Sequence, residues 1–437
     1  MSPAKETLAE RSDRVRREFG LEGRTLYLPH MPWGGSYLLA AAIRSVGLDA
    51  WPVPDSDERT LELGGGVTSG DECYPQKIVV GDFLKQLRES DRDRLAFLLP
   101  TASGPCRFGQ YNHLVRKTLD EQGYADVPLM TITSTDGYRS IGEYASDLVR
   151  SGWRAVVCND ILMKLLLKTR PYERSPGSAD AAYRRSLEEA AAALSEMNVS
   201  HRRRLQNLGV ALTHARDRFR AIDCDYNPTR PLIGVVGEIF CRNNTFSNMD
   251  LVRVLEQHGG ECWISDIGEW IWYTDDESAR RHEEDGRKYS RENAVRGLKA
   301  VIQRRDEETL YEPFVTDFVG YEEPHEVRQV LDLAWPYLPY TGSLGEMVLS
   351  VGKAVYLHGR GVDGIIDISP FSCMNGIVTE AVYPVLQRDL DHIPVRTFYF
   401  DGTQSDLERD VGIFIELART YRRRKKTTRR YPAYFRD

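Results

Sequence analysis

The chain has 437 residues, of which 41% are hydrophobic and 28% charged, and its formal net charge is -7. This length exceeds what a single hydrophobic core usually serves, so we expect two or three domains. The negative charge disfavours nucleic acid as the main partner, because phosphate binding requires a basic surface.

Targeting and redox features of the sequence predict a cytoplasmic protein. No apolar run approaches the roughly 20 residues needed to span a bilayer, so no membrane association is expected. Residues 1–20 lack the apolar core of a secretory signal. The seven cysteines lack the dense spacing of a disulfide scaffold, which leaves them free for metal binding or catalysis.

The first part of the chain, residues 1–150, alternates strand-type segments with amphipathic stretches, a pattern typical of a parallel α/β domain. Strands are predicted at 24–30, 48–54, 95–100 and 127–132, and helices at 35–46, at 108–123 and from about Tyr138. Residues 151–230 hold few helix breakers, so we expect a helical connecting segment there.

A second α/β pattern occupies residues 231–437. Strands are predicted at 232–240, 261–266, 364–370 and 393–402, with helices at 246–260 and 375–390 and a helical insertion at about 277–360. The predicted fold class is therefore α/β, with two flavodoxin-like or Rossmann-like parallel-sheet domains joined by the helical segment.

Three cysteines lie beside a proline and just ahead of a predicted helix, in the segments GDECYPQK, SGPCRFGQ and SPFSCMNG. They are Cys73 and Cys106 in the first domain and Cys373 in the second. The free amides and positive dipole at a helix start favour a thiolate, the form that binds iron or zinc. No C-x-x-C occurs, which disfavours zinc ribbons, thioredoxin-type redox chemistry and ferredoxin-type clusters; ordinary buried thiols are the alternative.

Polar residues near these cysteines are further candidates. Glu238, Arg242 and Asn243 follow a predicted strand, where a polar group would orient a substrate or cap a helix. Capping is an adequate explanation for Asn243, whereas a functional and a structural role are equally open for Glu238 and Arg242. Cys241 lies between them and is either a fourth ligand or a buried thiol. The side chains that follow Cys106 on the first helical turn are expected to face the same site: Arg107, Gln110 and Tyr111.

The end of the chain is strongly basic, with seven Lys and Arg residues between Arg422 and Arg430. Such a run most often forms a solvated helix end or tail, which is the reading we favour here. Binding of an anionic ligand or an acidic partner protein is the alternative.

Blocks around the cysteines resemble the 2-hydroxyacyl-CoA dehydratase D-component superfamily, and above all its activase-related branch. The resemblance covers nearly the whole chain beyond about residue 24. Its blocks are GDECYPQKIVVGDFLKQL, LLPTASGPCRFGQYNHLVRKTLDEQGY, IGVVGEIFCRNNTFSNMDLVRVLEQHGGECW, ISPFSCMNGIVTEAVYPVL and FDGTQSDLERDVGIFIE. Cys241 departs from it, since the family usually has a small apolar residue there.

The resemblance implies flavodoxin-like domains that hold a 4Fe-4S cluster between them through Cys73, Cys106 and Cys373, with one iron open to substrate. Because the chain has further cysteines, a cluster with more than four irons is an alternative. The implied partner is an ATP-hydrolysing activator that supplies low-potential electrons for reduction or dehydration. This chain has no G-x-x-x-x-G-K-[ST] motif, so we expect it to bind no nucleotide itself.

Other partners and functions stay open at this point. A homologous second subunit or a homodimer, and a small-molecule or CoA-linked substrate, are compatible with the resemblance. Members of this branch also suggest a non-catalytic partner or assembly subunit. A zinc-dependent or thiol-dependent enzyme is the remaining alternative, because thiolates bind zinc as well as iron.

Overall fold

The computed structural model describes residues 8–102, 106–133, 145–342 and 345–435. The chain divides into two units. The first comprises Met1–Val156 and Leu187–Leu208, and the second comprises Val157–Ser186 and Gly209–Asp437. Each unit has its own parallel sheet, so the predicted α/β class with two parallel-sheet domains is confirmed.

The first sheet has four parallel strands in the order β2-β1-β3-β4. They are β1 (Thr25–Leu28), β2 (Ala50–Pro52), β3 (Leu95–Thr101) and β4 (Leu129–Thr133). The register pairs Leu26 with Ala50 on one side and with Ala96 on the other. All four strands overlap predicted segments, with β3 and β4 each ending one residue later than predicted, because each is a short apolar run bounded by turn residues.

The described part of this unit places five helices around the sheet: α1 (Leu8–Glu18), α2 (Trp33–Arg44), α3 (Glu58–Gly65), α4 (Tyr74–Glu89) and α5 (Tyr111–Glu121). Helices α3 and α4 approach each other closely, since a Cβ atom on Gly81 would overlap the carbonyl oxygen of Thr60. A 3-10 turn at Arg107–Gln110 precedes α5, so the helix predicted at 108–123 begins with a tighter turn than expected.

The stretch predicted as a helical connection forms three long helices, α6 (Ala145–Thr169), α7 (Ser178–Ser195) and α8 (His201–Arg220). The division between the two units runs through all three, because each contributes residues to both. The helix predicted from about Tyr138 starts outside the described residues.

The second sheet repeats the arrangement of the first, in the order β6-β5-β7-β8 with all strands parallel. Its strands are β5 (Leu232–Gly237), β6 (Glu261–Ile264), β7 (Gly364–Pro370) and β8 (Val395–Phe400). The strand predicted at 232–240 ends earlier than expected. At Gly237 φ is +111°, a conformation that favours glycine, and a Cβ there would overlap the carbonyl oxygen of Ile368.

Within the described residues, eight helices of the second unit follow the long helices. They are α9 (Ile239–Asn243), α10 (Leu251–Gln257), α11 (Ile267–Glu284), α12 (Arg291–Tyr311), α13 (Val327–Ala334), α14 (Glu346–Gly359), α15 (Met374–Asp389) and α16 (Leu407–Arg424). Helices α11 to α14 form the predicted insertion and begin about ten residues before its expected start. Across the described part of the chain, no helix combines the length and apolarity that crossing a bilayer requires.

Both sheets place their first and third strands side by side at the centre, which is where the strand order reverses. In open α/β sheets, ligands bind in the crevice outside the carboxyl ends of the strands at this point. Cys106 follows β3, Glu238 follows β5 and Cys373 follows β7. The strand order therefore brings each of these residues to the crevice of its own sheet.

Candidate functional site

The three predicted ligand cysteines occupy the same structural position, the residue that precedes the first turn of a helix. Cys73 precedes α4 with φ -68° and ψ 148°, Cys106 precedes the 3-10 turn with φ -68° and ψ 132°, and Cys373 precedes α15 with φ -70° and ψ 128°. Pro75 lies in the first turn of α4, where its missing N–H is tolerated. The expectation that each cysteine stands just ahead of a helix is confirmed.

In the first unit, the Cys73 loop and the Cys106 loop are joined by side-chain contacts. The Tyr111 hydroxyl hydrogen bonds to the Cys73 sulfur, and Arg107 Nη1 donates to the carbonyl oxygen of Asp71 over 2.6 Å. These loops meet because α4 runs back toward the start of β3, so its N-terminus lies at the edge where β3 ends. Three residues were predicted to face the site. Tyr111 contacts Cys73, Arg107 hydrogen bonds to the loop that carries Cys73, and Gln110 is exposed.

In the second unit, Cys373 is half-buried at the start of α15 and follows Ser372, whose φ is +61°. Burial, and after it the nearby Glu238 carboxylate, raises the pKa of the Cys373 thiol to about 12. The amides of Gly376 and Asn375 lower the pKa, as expected for a helix start. Their effect is outweighed by desolvation, so the thiol form is favoured in the metal-free chain.

Glu238 caps α9, which supports the capping reading of this residue. Its carboxylate accepts hydrogen bonds from the backbone N–H of Phe240 over 3.0 Å and of Cys241 over 2.7 Å. Two such bonds favour the charged form, although full burial raises the pKa overall. The capping contacts also fix the position of this carboxylate near Cys373.

Sequence reasoning missed Glu346, the first residue of α14, whose buried carboxyl lies near Glu238. Its Oε1 accepts from Ile239 N over 2.7 Å, and Asn375 Nδ2 approaches Oε2 at 3.4 Å. Burial, then repulsion from Glu238, raises the pKa of Glu346 to about 8. Glu346 therefore keeps its proton at neutral pH, as a proton donor must. Only an unusual density of acidic residues near helix starts could have signalled Glu346.

Cys241 and Arg242 both lie in α9 but differ in their surroundings. Cys241 is fully buried, which favours the core reading over a role as a ligand. Arg242 is 8% exposed and its Nη1 donates to the carbonyl oxygen of Gly237 over 3.0 Å. Cys158 and Cys262 are also buried, as expected for core thiols.

The basic tail is solvated only in part: Arg423, Arg424, Lys426 and Arg430 are exposed, as expected, whereas two others are engaged in contacts. Arg429 is buried and donates to both oxygens of Glu261, over 2.8 and 2.9 Å, and Lys425 pairs with Asp363 at 2.7 Å. These contacts tie the end of the chain to the start of β6 and to the residue before β7. Two of the basic side chains of the tail therefore form ion pairs with carboxylates of the second unit.

The predicted ligand set draws on both units, and a site formed from residues of both stays a prediction. Among the residues that the structure describes, no three His, Cys, Asp or Glu side chains lie in position to hold a metal ion. No known protein family model matches the chain, and neither does any curated protein.

Proposed function

We propose that this chain is a cytoplasmic iron-sulfur protein of the dehydratase D-component type. Cys73, Cys106 and Cys373 would hold a 4Fe-4S cluster as three thiolates. The observation that supports this proposal is the shared position of the three cysteines, each at a helix start with the same extended backbone. Thiolates are the usual ligands of such clusters, so the donor set fits the group chemically.

When bound, a cluster with three protein ligands supplies a low-potential electron and one iron that is open to a substrate oxygen. The chain contributes the surroundings. Tyr111 hydrogen bonds to the Cys73 sulfur and so holds that sulfur in position. Glu346 keeps a proton on its carboxyl at neutral pH, and Glu238 next to it is held in place by backbone amides. Glu346 is thus our candidate proton donor for a leaving hydroxyl or a reduced carbon.

The electron source in this proposal is a separate ATP-hydrolysing activator, and a homologous subunit or a second copy completes the complex. Binding iron at Cys373 must displace a proton from its thiol, because burial and Glu238 raise its pKa to about 12. Loading of the cluster is therefore expected to improve as the pH rises from 7 to 9.

Anaerobic reconstitution tests the proposal through iron and sulfide analysis of the wild type, Cys106→Ala and Cys224→Ala. Cys106 is exposed, so its loss should leave the fold intact, and Cys224 is a half-buried cysteine outside the proposed set. We expect about four iron and four sulfide per chain in the wild type and the Cys224 variant, and a clear loss in the Cys106 variant.

Other outcomes of the same experiment select the alternatives. Zinc without sulfide would replace the proposal with a zinc-dependent enzyme. A chain that takes up neither metal but binds an ATPase would indicate a non-catalytic assembly subunit. Equal iron in all three proteins would show that Cys106 is not a ligand.

A further inference from the structure

A cleft opens at the carboxyl edge of the second sheet, between the ends of β5 and β6. It holds about 280 Å³ of empty space, part of it open to solvent. Polar and apolar side chains both line it, among them Arg242, Ser265, Glu346, Ile239, Trp270 and Leu349.

Two buried polar atoms at this cleft have no hydrogen-bond partner among the described residues. They are Nε of Arg242 and Oγ of Ser265, on side chains that are 8% and 3% exposed. A buried donor without an acceptor is costly, and most so when the donor carries charge. An acceptor bound in the cleft would satisfy both atoms.

Lysines neutralise the two acidic side chains of the cleft that lie on or next to α11. Glu269 pairs with Lys353 at 2.7 Å, and Asp266 lies 3.5 Å from Lys164. The lysines also share Glu323, which Lys164 contacts at 2.6 Å.

Arg242, in contrast to these lysines, has no carboxylate partner among the described residues. No carboxylate oxygen within the described ranges lies within 4.0 Å of its guanidinium nitrogens. Glu346, which also lines the cleft, keeps a proton at neutral pH. Glu238 is engaged by the amides that it caps. The cleft thus presents one cationic donor and one hydroxyl to whatever enters it.

We propose that this cleft binds the carboxylate group of a small organic acid, with Arg242 Nε and Ser265 Oγ as donors. The planar guanidinium edge suits a carboxylate, which has two oxygens in one plane. The apolar walls would contact the carbon chain of the acid. Because Glu346 approaches Asn375, the acid would lie beside the Cys373 loop. That the acid is a substrate rests on the proposed function, whereas the binding of the acid does not.

Titration of the metal-free full-length chain with acetate, followed by saturation-transfer NMR, tests this site. Acetate is expected to bind the wild type, and acetamide, which has the same shape without the charge, about ten-fold more weakly. Arg242→Gln is expected to weaken acetate binding by a factor of about ten or more, because a charge-assisted hydrogen bond is lost. Arg396→Gln, which removes an arginine from a surface pair with Asp410, is the matched control and should bind normally.

Ser265→Ala keeps the test decisive if loss of the buried arginine disturbs the fold. This variant removes only a hydroxyl and is expected to weaken acetate binding about five-fold. Equal affinity in the wild type, Arg242→Gln and Ser265→Ala, or no preference for acetate over acetamide, would overturn the inference. The titration uses the metal-free chain, so its outcome is independent of cluster formation. Acetate binding by a chain that forms no cluster would refute the proposed function alone. Cluster formation by a chain that does not bind acetate would refute this site alone.

Discussion

At the scale of single residues, Arg429 and Glu261 form a buried ion pair at the start of β6. Glu261 also accepts hydrogen bonds from Tyr172, over 2.6 Å, and from Tyr321. The Glu261 carboxylate is completely buried, so its charge is stabilised by Arg429 and the two tyrosines rather than by water. The pair belongs to the part of the chain that sequence analysis treated as a solvated tail.

Replacing Arg429 with methionine should lower the free energy of unfolding by about 3–5 kcal/mol, because Glu261 keeps its buried charge without a counter-charge. Lys426→Met is the matched control. Lys426 is an exposed member of the same basic run and pairs with Asp391 at the surface, so its loss should change stability by less than about 1 kcal/mol. Denaturant unfolding measures both, and equal stability of the two variants would show that the buried pair is unimportant.

Glu346 makes stability depend on pH in the metal-free chain. Burial and Glu238 raise its pKa from 4.5 to about 8, so between these values the folded chain holds a proton that the unfolded chain releases. The contribution of this group to stability is therefore present at pH 5 and is lost as the pH rises toward 8.

Glu346→Gln should remove that loss, because glutamine cannot ionise. The variant should gain stability relative to the wild type between pH 5 and pH 8, by an amount on the order of a few kcal/mol. Urea unfolding at the two pH values measures the difference. Glu408→Gln, on the exposed face of α16, should follow the wild type at both. A constant difference between Glu346→Gln and the wild type would contradict the raised pKa.

The residues of the candidate site differ in how far the sequence could predict them. The cysteine positions could be predicted, because a cysteine between a strand and a helix is a local pattern. Glu346 and the pairing of Lys353 with Glu269 could not, because these contacts join elements that are far apart in sequence. The raised thiol pKa of Cys373 could not be predicted either, because it reflects burial first and then Glu238 and Glu346, which are distant in sequence.

At the scale of elements, the close contact of α3 and α4 sets the position of Cys73. Gly81 faces the carbonyl oxygen of Thr60, and Gly64 faces that of Lys77, with no room for a Cβ at either glycine. Asp57 begins α3 with a capping box that includes Thr60. The sequence showed glycines in this region but not which of them lie at the contact, since that depends on how two helices cross.

Gly81→Ala should therefore separate the two helices and destabilise the first unit by about 1–3 kcal/mol. Gly65→Ala serves as control, since a Cβ there meets no atom within 4 Å. That change should be neutral or slightly stabilising, because alanine restricts the unfolded chain. Thermal unfolding distinguishes the two, and equal effects would mean that the helix contact can relax at little cost.

At the scale of the whole molecule, the two sheets have the same strand order, and each has cysteine-bearing loops at its carboxyl edge. This organisation could be predicted from alternating strand and helix signals, because parallel sheets require long crossovers. The division of α6, α7 and α8 between the units could not, since a uniformly helical stretch carries no sign of where its contacts change.

The central claim is that cysteines from both units hold one cluster. Iron content after anaerobic reconstitution of Cys73→Ala, Cys373→Ala and the double variant tests it most directly, with Cys158→Ala as a control in the helical core. A shared cluster predicts that each single variant loses nearly all iron and that the double variant loses no more. Independent losses that add in the double variant, or iron contents equal to the wild type, would contradict it.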